Sequence, residues 1–303
     1  MGRDAAEASP AAQAVFATAD AVLGMPLAKL CFEGPDEALV PTEIQQPAIL
    51  ATSVAWLRAL EERTSSLAPA CVAGHSLGEY TALVASGALD FENALRLVRA
   101  RGLYMRDALP PGAGTMAAIL GCDRAVVESA CARARAETGE VVEPANFNAP
   151  TQTVIAGTVA AVAAACAAAK AAGARRALSI PVSAPFHCSL MAPAAARLRA
   201  DLARVAFADP SPAVIANATA EPNTRGDAVA ELLARQVEAP VRFTEMVERM
   251  VALGVTRVLE IGPGQVLTGL VARIAPSLAR ASLGRRADLD GAVLFAAAPA
   301  ADP

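Results

Sequence analysis

Apolar residues recur along this chain in two rhythms, one suited to helices and one to strands. Behind Ser9-Pro10, a capping serine and a proline that fits a first helical turn, Val15, Ala19, Val22 and Leu23 fall three and four apart and predict an amphipathic helix. A second helix is predicted over 47–60. The continuous apolar run 69–73 has the length of a buried strand, and 79–89 reads as the helix that follows it. Residues 91–108 form a longer helix with Phe91, Leu95, Val98, Gly102 and Met105 on one stripe.

From residue 115 the rhythm changes to strand (115–120), helix (124–137), strand (141–145), strand (152–156), helix (158–172) and strand (176–180). That order is the split βαβ of a ferredoxin-like unit and predicts a small domain over 113–187. It would be inserted in a larger α/β domain made of 1–112 and 188–303. Beyond the insertion, 213–216 and 257–261 read as parallel strands separated by helices, and Gly262-Pro263-Gly264 as a turn. The expected fold class is α/β, a hydrolase-like parallel-sheet large domain with an inserted ferredoxin-like small domain. The alanine-rich end, 296–303, adds no element.

Composition narrows the classes of function. The 303 residues are 54% hydrophobic but only 4% aromatic, so the core must be built from Ala, Val and Leu. A net charge of −4 argues against nucleic acid or an anionic membrane as partner. Lys29 and Lys170 are the only lysines, so any anion site must use arginine. The six cysteines, Cys31, Cys71, Cys122, Cys131, Cys166 and Cys188, show no CxxC pair and no metal spacing, as expected of reduced residues in a cytoplasmic protein without a metal. The N-terminus has no signal pattern, and the apolar stretch 159–169 is too short to cross a bilayer. A monomer is expected.

The chemistry begins at Gly74-His75-Ser76-Leu77-Gly78. A serine between glycines where a strand meets a helix is how an α/β enzyme exposes a nucleophile, with side chains at Gly74 or Gly78 expected to crowd the turn. The Leu77 N–H then points from the helix start toward a developing oxyanion. The chain has two histidines. His75 leaves the turn in another direction, which makes His187 the expected general base, in the order Ser then His. His187 follows the insertion directly, so the active site is expected in the cleft between the domains. On the 91–108 helix, Arg96 and Arg99 fall on the polar side and Arg106 at its edge. Arg101 projects into the apolar sector beside Val98 and needs an anionic partner there, either a protein carboxylate or a substrate carboxylate held bidentately.

Together with Glu79-Tyr80, Arg101-Gly102, Ala145-Asn146-Phe147-Asn148-Ala149-Pro150, Ser183-Ala184-Pro185-Phe186-His187-Cys188-Ser189-Leu190-Met191 and Gly262-Pro263-Gly264-Gln265-Val266-Leu267, the elbow resembles the malonyl-CoA:acyl carrier protein transacylases, in order from about residue 2 to 280. The resemblance implies a malonyl ester on Ser76, His187 as base and Arg101 pairing with the malonyl carboxylate. It implies a backbone carbonyl at Gln236, rather than an aspartate, orienting the histidine, and Phe186 as the mark of malonyl over methylmalonyl. His75 and Leu77 belong to the same substrate site. The partners implied are malonyl-CoA and acyl carrier protein, with no cofactor, in fatty acid or polyketide synthesis. Family members open with a strand ending in Gly-Gln-Gly-Ser/Ala-Gln that lends an oxyanion donor, and this chain begins just after that place. The expectation is a start upstream of Met1, with the extended chain more stable and more active. Two alternatives share the elbow: a serine thioesterase or esterase, to which a buried-side arginine is of no use, and an inactive truncated acyltransferase.

Overall fold

The computed structural model describes residues 1–64, 67–182 and 184–298. Ser183 of the histidine motif and the last five residues of the alanine-rich end lie outside them. The first helices are α1 (Arg3–Ala8), α2 (Pro10–Leu23), α3 (Leu27–Glu33) and α4 (Thr42–Glu61). Helix α1 was not anticipated. The Ser9 hydroxyl caps α2 by accepting from Ala12 N at 3.0 Å, and Val15 and Ala19 are buried beneath it.

Helix α4 starts five residues before Pro47, the residue at which the sequence pattern begins it. A proline inside a helix leaves the carbonyl four residues earlier without its donor. Here that carbonyl belongs to Glu43, and the Arg99 guanidinium donates to it at 2.8 Å. Arg99 lies on α6 (Phe91–Arg106), which follows β1 (Cys71–Ala73) and α5 (Gly78–Ala85). Three residues on, Gly102 presses on the same turn of α4, where a Cβ would stand 2.6 Å from Glu43 Cα. Gly102→Ala would gain up to about 1 kcal/mol of helix propensity. Overpacking against unyielding backbone costs about 1–3 kcal/mol, so the variant is expected to melt at a lower temperature. An unchanged melting point would mean that the two helices part freely.

The middle of the chain forms β2 (Gly114–Leu120), α7 (Arg124–Thr138), β3 (Val142–Ala149), β4 (Gln152–Thr158), α8 (Val159–Ala171) and β5 (Arg176–Ile180). Its four strands make one sheet in the order β3-β4-β2-β5, all neighbours antiparallel. Ala117, Ile119 and Ile155 face α7 and α8, meeting Val127, Cys131, Val162 and Ala165. Met116, Val154 and Ala156 face the other way, onto Cys188 and the partly buried Phe186 and Leu190. β3 runs four residues beyond its expected end, through register shifts at Pro144/Asn146 and Phe147/Ala149. This extension reaches Val241, with Phe147 N donating to Val241 O and Val241 N to Ala145 O, both at 2.9 Å.

The remainder comprises α9 (Ala192–Leu202), β6 (Ala213–Ile215), β7 (Pro222–Asn223), α10 (Gly226–Glu238), α11 (Phe243–Ala252), β8 (Arg257–Ile261), α12 (Val266–Ile274), β9 (Ala279–Leu283) and α13 (Leu289–Ala297). The single parallel sheet expected here is divided. β1 pairs in parallel with β6, which pairs antiparallel with β7, while β8 pairs in parallel with β9. Among the described residues no ladder joins the two sheets. They nonetheless share a layer: Val72, Leu259 and Ile261 pack on one apolar cluster, and Cys71, Ala73 and Val258 on another. Periodicity identifies strands and their burial, but pairing depends on backbone contact, which periodicity does not report.

Candidate active site

The site assembles where β1 ends. Gly74 has no room for a side chain, since a Cβ would lie 2.1 Å from the Gly78 carbonyl carbon. Gly78 has open space at the same test, so only the first glycine is sterically required. Ser76 takes a left-handed backbone conformation, φ 51°, of the kind held only where surrounding structure over-determines it. Asn217, just past β6, supplies part of that hold. Its Oδ1 accepts from Ser76 N at 2.6 Å and its Nδ2 donates to Gly74 O at 2.7 Å. Among the described residues no protein acceptor takes the next amide, Leu77 N–H.

Ser76 Oγ lies 2.7 Å from His187 Nε2. The other imidazole nitrogen, Nδ1, lies 2.8 Å from the backbone carbonyl of Gln236. A carbonyl can only accept, so Nδ1 carries the proton and Nε2 is left to accept from the serine hydroxyl. Burial, helped by the Arg101 charge, pulls the His187 pKa down to about 3, so the resting imidazole is neutral. His187 is itself left-handed, φ 62°. The second histidine takes no part in this contact: His75 Nε2 meets Asn148 Oδ1 at 2.8 Å, and its ring packs on Phe243. Phe186, half-buried, sits between the β2–β4 face and the main core.

Arg101 is 2% exposed. Among the described residues no carboxylate hydrogen-bonds to it, and its acceptors are neutral. Nη1 donates to Gln46 Oε1 at 2.6 Å, and Nη2 to Gln236 Oε1 and to Ser76 Oγ, both at 2.9 Å. The two amide oxygens accept from Nη1 and Nη2 without cancelling the charge, and Nε is left buried with no partner among the described residues. The cation is therefore held on Ser76 Oγ by neutral groups alone among its direct described contacts.

Residues 1–288 match the family model of the acyl transferase domain. The chain is 48% identical to a malonyl CoA-acyl carrier protein transacylase of Escherichia coli over 283 residues, covering 93% of this chain and 91% of that one. The chain belongs to the malonyl-CoA:acyl carrier protein transacylase family. Its structure also superposes on an acyl carrier protein S-malonyltransferase from Vibrio cholerae with a TM-score of 0.93 at 46% identity, covering 96% and 94% of the two chains. A malonyl-transacylase solved in complex with a type II PKS acyl carrier protein gives 0.94 at 45% identity, covering 97% and 94%.

Four residues at this transacylase-family site have no role assigned from the sequence: Gln46, Glu79 as a buried carboxylate, Asn217, and Asn148 as the partner of His75. A polar residue just past a strand's C-terminal end is where α/β folds place ligand contacts, and that rule points to Asn217. A long amide side chain among the buried residues of α4 points to Gln46. Among the described residues no grouping of His, Cys, Asp and Glu could hold a metal ion, and no helix is long and apolar enough to span a membrane.

The buried imidazole makes stability depend on pH. Unfolded, His187 takes up a proton near its ordinary value of 6.5; folded, it refuses one until about 3. Its contribution to stability is thus full above pH 6.5 and is lost as pH falls toward 3, reaching about 3 kcal/mol by about pH 4. Denaturant unfolding of the parent and of His187→Gln at about pH 8 and about pH 4 checks this. The parent should lose more stability than the variant, and equal losses would mean that His187 is not held neutral.

Proposed function

We propose that this protein transfers a malonyl group from malonyl-CoA to the phosphopantetheine thiol of acyl carrier protein through a malonyl ester on Ser76. The observation that carries the reading is one hydroxyl shared by a neutral imidazole and a buried guanidinium. His187 Nε2 takes the Ser76 proton as Oγ attacks the thioester carbonyl. The developing oxyanion is met by the Leu77 N–H. Collapse expels the coenzyme A thiolate, which takes the proton from His187. The carrier thiol then gives its proton to His187 and attacks the ester carbonyl, and the proton returns to Ser76 Oγ. The Gln236 carbonyl keeps the imidazole in the required tautomer throughout. Arg101 turns from Ser76 Oγ to the free carboxylate of the acyl group and so selects a dicarboxylic acyl chain. His75 lies at the edge of the acyl pocket, and Phe186, beside the base, limits branching at the malonyl carbon.

The active site is assigned to the junction of a hydrolase-like large domain, 1–112 and 188–303, with an inserted ferredoxin-like small domain, 113–187. The order β3-β4-β2-β5 with both helices on one face supports the second, and the parallel β1/β6 pair ending in the elbow supports the first. Six free cysteines suit the cytoplasm. Incubation with radiolabelled malonyl-CoA tests the proposal, and label is expected to pass to added holo carrier protein. Free malonate without labelled carrier would make this a thioesterase, and no turnover would overturn the reading.

A further inference from the structure

One buried group near the nucleophile has no part in the steps above. Glu79, 2% exposed in the first turn of α5, directs one oxygen at two donors from distant parts of the chain. Gln236 Nε2 donates to its Oε2 at 2.7 Å and Asn217 N at 3.0 Å. The same Gln236 Nε2 also donates to Ser76 O at 2.9 Å, while Gln236 Oε1 accepts from Arg101 Nη2. A side-chain amide has one donating end and one accepting end, and either end could face the guanidinium by a half-turn. Only the observed orientation lets Arg101 donate to it, and the two acceptors at the opposite end, Glu79 Oε2 and Ser76 O, are what impose it.

Resting on the proposed malonyl transfer, we infer that Glu79 is a positioning residue for acid recognition: its carboxylate fixes the Gln236 amide with the carbonyl toward Arg101, and so holds the guanidinium over Ser76 Oγ. Glu79 is also the carboxylate whose charge acts on Arg101 from within the site, although the two share no direct contact. Buried as it is, its own pKa rises to about 7, so the ionised form predominates in mildly alkaline assays.

Glu79→Gln keeps the shape, removes the charge and adds a donor that competes for the acceptors around Gln236. The expected result is a roughly tenfold fall in kcat/KM for malonyl-CoA, carried mainly by KM, as for the loss of one charge-assisted hydrogen bond. Acylation by acetyl-CoA, which has no carboxylate to meet Arg101, should change by less than about threefold. Reaction of Ser76 with a fluorophosphonate reports the elbow and the base alone and should keep pace with the parent.

Three results would overturn the inference. A parallel fall in malonyl, acetyl and fluorophosphonate reactions would make Glu79 a support of the elbow only. An unchanged malonyl-to-acetyl ratio would remove it from acid recognition. A lower malonyl KM would mean that it acts only by repelling the substrate carboxylate. Should Glu79→Gln not yield folded protein, Gln236→Met carries the test, because it removes the amide while leaving the backbone carbonyl on His187. It should lower the same ratio, and a ratio equal to the parent's would overturn the inference. Failure of the parent itself to take malonyl from malonyl-CoA would instead bring down the functional reading, and this inference with it.

Discussion

Ser76→Ala is expected to abolish the covalent malonyl adduct and to lower transfer to carrier protein by about 10⁴- to 10⁶-fold, the range seen when a nucleophile is removed from a cooperating set of groups. The loss should be this large because the elbow offers no second nucleophile at that position. The nearest thiol along the chain to the base is Cys188, next to His187, but its Sγ donates to Pro185 O and burial pushes its pKa up to about 12. A thiol so held supplies almost no thiolate at neutral pH. Intact-protein mass spectrometry after exposure to malonyl-CoA reads the result directly. An adduct of undiminished yield on the variant would show that another residue is acylated and would remove Ser76 from the mechanism.

Arg101→Ala is expected to cut malonyl transfer by roughly ten- to two-hundredfold while acetyl transfer holds or improves, since a charged hydrogen bond to the substrate carboxylate contributes about 1.5–3 kcal/mol. Truncation also leaves Gln46 Oε1 and Gln236 Oε1 without their donor, so some loss common to all substrates is expected from the disturbed site. The ratio of the two activities, measured side by side, separates these effects. If malonyl and acetyl rates fell equally, Arg101 would be a structural cation and the assignment of acid recognition would fail.

The parts of the site that could be read from the sequence are those whose signal is local. The elbow is one string of residues, His187 is one of two histidines, and Arg101 betrays itself by falling in the apolar sector of a single helix. Its surroundings could not be read in this way. Gln46, Asn217 and Gln236 come from α4, the end of β6 and α10, and their convergence depends on how those elements pack. A protein carboxylate is the default partner for a buried charge, yet here amide oxygens accept from Nη1 and Nη2 and leave Nε without a partner among the described residues. The four-stranded sheet followed its alternating pattern closely, and its departure, the longer β3, arose where a bulge carries the strand on to Val241. The start of α4 was missed because the donor replacing Pro47's absent N–H comes from another helix.

That replacement has a reach beyond the helix it repairs. Arg99 and Gly102 flank Arg101 on α6, one plugged into the Glu43 carbonyl and the other flush against the Glu43 backbone. A one-turn slip of α6 along α4, about 5.4 Å, would break both engagements at once. Pro47 therefore acts as a notch into which α6 is keyed, and the key stands directly beside the cation. On the acyl-selecting role proposed for Arg101, the side chain at position 101 sets the preference, whereas the anchorage of that position in space is written into the main chain of its neighbour.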